Sequence, residues 1–182
     1  MAFNVNELRS QLTFGGAKAS LFQVQIQNPI NGIADLKSTF MIKAAVLPAS
    51  SLSEVEVPYF GRRIKLAGDR SFAPWTVTVI NDEDFLVRNA MESWSSAINS
   101  HQGNLRQVAA ASQYKTQAQI TQFSKTGVPI RVYNFNGLFP VEISEIGMDW
   151  AADSTPEEFQ VTFQYDWWDV SGGTTGDGGT QA

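Results

Sequence analysis

The chain contains no cysteine. That excludes disulfides, thiolate metal sites and cysteine nucleophiles, and it is compatible with assembly in a reducing cytoplasm. His101 is the only histidine, so a metal cluster built from histidines is excluded too. Charge is scarce: Asp, Glu, Lys and Arg make up 17% of the 182 residues, against about 25% in an average chain. Much of the polar surface must therefore be Ser, Thr, Asn and Gln, which suits surfaces that pack against neighbours. Long apolar runs are missing as well. The longest, residues 40–47, is interrupted by Lys43 and falls far short of the roughly 18 residues of a spanning helix. The start, MAFNVNELRSQLTFGG, lacks a basic stretch followed by an apolar core, so a secretory signal is not expected.

Catalytic signatures are equally thin. No G-x-S-x-G surrounds a serine, and no Walker or dinucleotide-binding sequence occurs. His101 falls at the end of a predicted helix, where a cap or surface role is natural. Asp82, Glu83 and Asp84 are adjacent acids at a predicted helix start, where capping and the helix dipole account for them better than a glycosidase pair does. Nothing supports an enzyme, a cofactor or a bound metal.

What is present is globular. The chain is 43% hydrophobic, with twelve Phe, five Trp and four Tyr. A chain of this length buries roughly 70% of its unfolded surface as a single domain. Residues 21–27 alternate, with Phe22, Val24 and Ile26 against three glutamines, which predicts a half-buried strand. A second strand is expected over 39–47, closed by Pro48. Residues 49–66 read as a projecting hairpin, with Glu54 and Glu56 on one face and Val55 and Val57 on the other. Gly68-Asp69-Arg70 reads as a turn, Trp75–Ile80 as a strand, and Asn81–Asp84 as the start of a helix. Its apolar stripe is Leu86, Ala90, Trp94 and Ile98, widened by Met91 and Ala97, and it ends near Gly103. Residues 104–115 read as a loop. Strands are expected at 116–123, 129–135, 146–150 and 159–167. In the last of these Trp167 continues the core face and Trp168 points outward, as an interface anchor or a sugar-stacking surface.

These elements make about seven or eight strands and one good helix, with no βαβ rhythm. The expected fold is mainly β: an antiparallel β-barrel or sandwich with one packed α-helix. Residues 1–20 form an N-terminal arm, 21–170 the barrel domain, and 171–182 a flexible Gly/Thr-rich tail.

The stretch GRRIKLAGDRSFAPWTVTVINDED resembles the tail tube proteins of contractile-tailed, T4-like bacteriophages. LFQVQI, KAAVLPAS, NGLFPVEISEIGMDW and FQVTFQYDWW follow the same order, so the likeness spans roughly residues 20–168. The resemblance implies a hexameric ring-forming fold whose rings stack into a hollow virion tail tube. A contractile tail sheath would surround it, baseplate and tail terminator proteins would bound it, and genomic DNA would pass through the lumen without specific binding. Six copies at −5 would carry roughly −30 per ring, a charge that keeps DNA from adhering. Polar faces such as Gln160/Thr162/Gln164 or Thr76/Thr78 are candidate surfaces of the bore or of the outer wall. Glu54, Glu56, Arg62, Arg63, Asp69 and Arg70 are candidate contacts between subunits or rings. A tube of a type VI-like or extracellular contractile injection system is the alternative within this fold. A carbohydrate-binding β-sandwich is the alternative outside it, with a hydrolase using His101 behind both.

Overall fold

Apolar and polar side chains alternate along several segments of the chain, and there the backbone follows that period of two. In the computed structural model, helix α1 (Val5–Gln11) precedes strand β1 (Phe22–Ile26), helix α2 (Asp35–Met41) and strand β2 (Ile42–Ala45). Strands β3 (Ser50–Tyr59) and β4 (Arg62–Phe72) form a hairpin, and β5 (Trp75–Ile80) leads into helix α3 (Leu86–Ile98). A short helix α4 (Ala111–Tyr114) follows, then β6 (Thr116–Phe123), β7 (Pro129–Ile143), β8 (Glu158–Gln164) and β9 (Trp167–Val170). The structure describes residues 5–152, 154–173 and 175–177. The arm reading of residues 1–4 and the tail reading of 178–182 lie outside the described residues.

All pairings are antiparallel. The body runs β1-β6-β7-β8-β5-β2, with β9 added on β7, and the hairpin stands as its own two-stranded sheet. β7 serves both halves of the body. Its residues 129–138 pair with β6, and 139–143 pair with β8. Just before the change of partner the β6 register skips Gly137, whose φ is +70°. A Cβ built there would meet the Asp166 carboxylate at 2.1 Å, and Asp166 is held by Lys115 at 2.6 Å. Glycine is required at this bend.

The core lies between the two halves. Val24, Ile26, Ala118, Ile120 and Phe135 face Trp75, Val77, Val79, Val161 and Phe163, all nearly inaccessible. α3 closes the core with Val87, Ala90, Met91, Trp94 and Ala97, much of the stripe the sequence indicates. The Trp94 indole N–H donates to the Tyr114 carbonyl at 2.9 Å. Each buried aromatic or large aliphatic side chain stabilises the fold by about 1.5–3 kcal/mol.

Several local expectations are corrected. The strand predicted from residue 39 begins at Ile42, because the preceding residues turn Ala34, Ser38 and Met41 inward at helical spacing. Gly68–Arg70 is a bulge within β4 and not a turn: the register slips between Leu52 and Glu54, and Gly68 lets the strands approach beside Ser53. α3 starts at Leu86, after Phe85 in a left-handed conformation, and stops at Ile98, where Asn99 turns extended, inside the predicted span. The predicted loop at 104–115 contains α4. Residues 146–150 form no strand, since β7 continues to Ile143 and takes the pairing with β8, which leaves Met148 and Trp150 exposed. The two tryptophans exchange roles. A bend at Asp166 resets the alternation, so Trp167 faces solvent and Trp168 packs on the core.

Gly137→Ala is expected to lower unfolding stability by roughly 1–3 kcal/mol, read by urea denaturation of the monomer.

Candidate assembly interface

The hairpin makes almost no use of the body. Every residue of β3 is exposed, as is every residue of β4 except Gly68 and Phe72. Its strands are 10 and 11 residues long, a reach of about 33 Å at ~3.3 Å per residue. Its two faces differ in kind. Val55 pairs with Leu66 and Val57 with Ile64 on one face, continued by Tyr59 opposite Arg62. These four aliphatic side chains are 41–53% exposed, an apolar stripe that no other described element of the chain covers.

The other face carries charge. The Lys65 ammonium donates to the Glu54 carboxylate at 2.9 Å, and Arg63 Nη1 donates to Glu56 at 2.6 Å. Arg70 Nη1 donates to the Ser50 hydroxyl at 2.9 Å, and the Asp69 carbonyl accepts from Ser53. Arg62 makes no ion pair among the described residues. The structure therefore brings all six candidate contact residues onto one hairpin, and pairs Glu54 and Glu56 with cations of the same chain. Such exposed pairs are worth only about 0.2–1 kcal/mol, so exchanging partners with a neighbour costs little.

A second surface was missed in the sequence. Ile33, Leu36 and Phe40, at i, i+3 and i+7, are 74%, 77% and 73% exposed, while the inward side of the same segment carries Ala34 and Ser38. Three large apolar residues face out while two small ones face in. Their helical spacing was the available signal. Beside α2 lies the acidic turn. Lys37 donates to the Asp82 carboxylate at 2.7 Å and also to Asp84. The Asp84 carboxylate also accepts from the Leu86 N–H at 3.0 Å, so it caps α3 from outside the helix. Hydrogen bonds from Lys37 hold both carboxyls below the usual range, helped by backbone N–H donors, and the same bonds raise the lysine.

Polar faces cover both halves of the body. On one, Gln119 donates to Asn134 at 3.0 Å and Gln117 to Asn136 at 3.2 Å, an amide ladder across β6 and β7. On the other, Thr76 lies opposite Thr162 and Thr78 opposite Gln160. One half also ends in strands with a single strand neighbour. Among the described residues β2 pairs only with β5, and residues 139–143 of β7 only with β8. His101 is exposed in the turn after α3.

An antiparallel body with unpaired strand edges and an extended hairpin exposing an apolar stripe defines a structural protein built to assemble. A family model for phage tail tube proteins matches residues 11–171, and the chain belongs to the phage tail tube protein family. It is a structural component of the virion tail tube and not an enzyme. It is 33% identical over 154 residues to the tail tube protein gp19 of Enterobacteria phage T4, covering 84% of this chain and 91% of that one. The tail tube protein of Serratia phage KSP90 is 25% identical over 166 residues, covering 88% and 93%. Among solved structures, the anti-feeding prophage tube-terminating cap superposes with a TM-score of 0.64 at 18% identity, over 94% of this chain and 99% of that one. The sheath–tube complex of an extracellular contractile injection system gives 0.58 at 14% identity, over 93% and 99%. At those identities the structures share the fold.

Carboxylates depressed in the folded state add stability above their unfolded pKa and lose it as pH falls through the folded value. A lysine raised by its partners loses its contribution as pH rises through its folded value. The Lys37 cluster therefore acts through the neutral range, fading below the ordinary carboxylate value of 3.8 and above the ordinary lysine value of 10.5. Thermal melts at pH 7 are expected to show Lys37→Met modestly below wild type, with the gap closing as the pH drops below 3.8.

Proposed function

We propose that this chain forms hexameric rings that stack into a hollow tube, surrounded by a contractile sheath, through which DNA passes during ejection. The observation that carries this reading is the pair of open edges on one half of the body. The order β2-β5-β8-β7 leaves an unpaired edge at each side, at β2 and at residues 139–143 of β7. A neighbour's opposite edge supplies the missing hydrogen bonds, and repetition around a ring removes free edges altogether. On the other half β1, which lies beside α2, pairs with β6, and β9 pairs with β7.

On this reading the outward face of the β2-β5-β8-β7 half lines the bore. Thr76, Thr78, Gln160, Thr162 and Gln164 supply neutral hydroxyls and amides there. Its charges are Glu142 and Glu158 against Lys43, which pairs with Glu158 at 2.6 Å. A weakly acidic, mostly neutral wall gives phosphates no cation lattice to bind. The sheath, baseplate and terminator partners belong to the same reading, supported by relatives seen in a sheath–tube complex and a tube-terminating cap. Glu54, Glu56, Arg62, Arg63, Asp69 and Arg70 then act at contacts between successive rings.

Negative-stain electron microscopy of concentrated protein is expected to show rings or tubes with a central hole; a monomer at every concentration overturns the reading. Arg63→Glu places three acids with Lys65 on one hairpin face. It is expected to melt like wild type, because the hairpin packs on itself, and to grow shorter tubes. Normal-length tubes would remove Arg63 from the contact.

A further inference from the structure

We infer that the apolar stripe of the hairpin docks head-to-tail on the outward face of α2 in a second copy of this chain, with Arg62 set against the acidic turn beside that helix. This rests on the tube reading above and names one contact within it.

Topology supplies the first argument. β2 and β5 pair antiparallel, with Ile42 opposite Val79 and Ala45 opposite Val77. The hairpin leaves from the Ala45–Trp75 end of this pair, while α2 and the Asp82–Asp84 turn adjoin its Ile42–Ile80 end. Donor and acceptor thus lie at opposite ends of the same two strands. A contact between two different surfaces at opposite ends repeats without closing on itself and generates a stack.

Chemistry supplies the second. Val55, Val57, Ile64 and Leu66 form a strip on a two-stranded ribbon, and Leu36 and Phe40 of α2, with Ile33 in the turn just before it, form an exposed apolar face. No described part of the chain covers either surface. Burying one against the other removes both from water, a gain neither obtains from ordinary solvent-facing neighbours.

Charge supplies the third. Arg62 sits on the apolar face at the hairpin tip without an ion pair, opposite Tyr59. The turn next to α2 carries Asp82, Glu83 and Asp84 against Lys37 alone, an excess of two negative charges. The cation on one surface meets the surplus acid on the other, which fixes direction as well as affinity.

Because the wild type has no cysteine, introduced thiols report contacts without background. The variant carrying both Ile64→Cys and Phe40→Cys, assembled and then oxidised with copper phenanthroline, is expected to run as a ladder above dimer on a non-reducing gel. An equimolar mixture of the two single variants is expected to stop at a mixed dimer, since each chain then offers one thiol. Tubes seen by electron microscopy in the double variant without a ladder overturn this docking and leave the tube reading standing. If the double variant melts normally but fails to assemble, the mixture decides: a mixed dimer supports the contact and its absence overturns it. A wild type that never assembles overturns both readings.

Discussion

Trp75 joins the core to the part of the molecule that leaves it. Its ring stacks on Phe135 with centroids 4.4 Å apart and lies 5.6 Å from Phe163, so it packs against both halves of the body. Its indole N–H donates to the Val46 carbonyl at 2.9 Å, which ties down the chain just before the hairpin. A buried indole needs a partner for that N–H, and the hairpin root provides it. On the returning strand Phe72 sits 5.9 Å from Tyr165 and 6.5 Å from Trp168. The projecting ribbon is thus free along its length and anchored at both legs by aromatic side chains of the core.

That arrangement explains the composition. A monomer that stayed single would gain from charged surfaces, and this chain has few charges. Many of those it has are paired with each other: Lys65 with Glu54, Arg63 with Glu56, Lys37 with Asp82 and Asp84, Lys115 with Asp166. The remaining surface is amide, hydroxyl and exposed aliphatic. Amides and hydroxyls re-form hydrogen bonds with a neighbour at small desolvation cost, whereas buried unpaired charges would oppose association. Neutral surfaces leave apolar burial and strand edges to decide where copies meet.

How much of this was legible in the sequence depended on which face each element buries. β5 and β6 appear at the predicted residues because Trp75, Val77 and Val79, or Ala118 and Ile120, alternate strictly into a buried core. The hairpin and its two-sided character were legible for the same reason, since alternation does not ask whether the apolar side is covered. α2 was hidden because it breaks the usual link between size and burial. Leu36 and Phe40 look like core, and they lie outside. The candidate contact residues were found through their charge, and the α2 surface was missed because its residues carry none. The Trp167 and Trp168 exchange has another source: a single bent residue, Asp166, reverses a phase that no local pattern marks.

A tube needs growth in two directions that differ in kind, one closing into a ring and one left open. Strand geometry separates them. Edge pairing extends a sheet across the strands, at about 4.8 Å per strand, and with a constant tilt it closes on itself. Contacts at strand ends extend along the strands and have no reason to close. In the proposed assembly β2 takes part in both, because its free edge faces a lateral neighbour while its two ends lead to α2 and to the hairpin root. Four residues, Ile42–Ala45, then couple ring formation to stacking. A shift in their register would misplace the edge and the hairpin together, so a correctly closed ring presents its hairpins in a common orientation for the next.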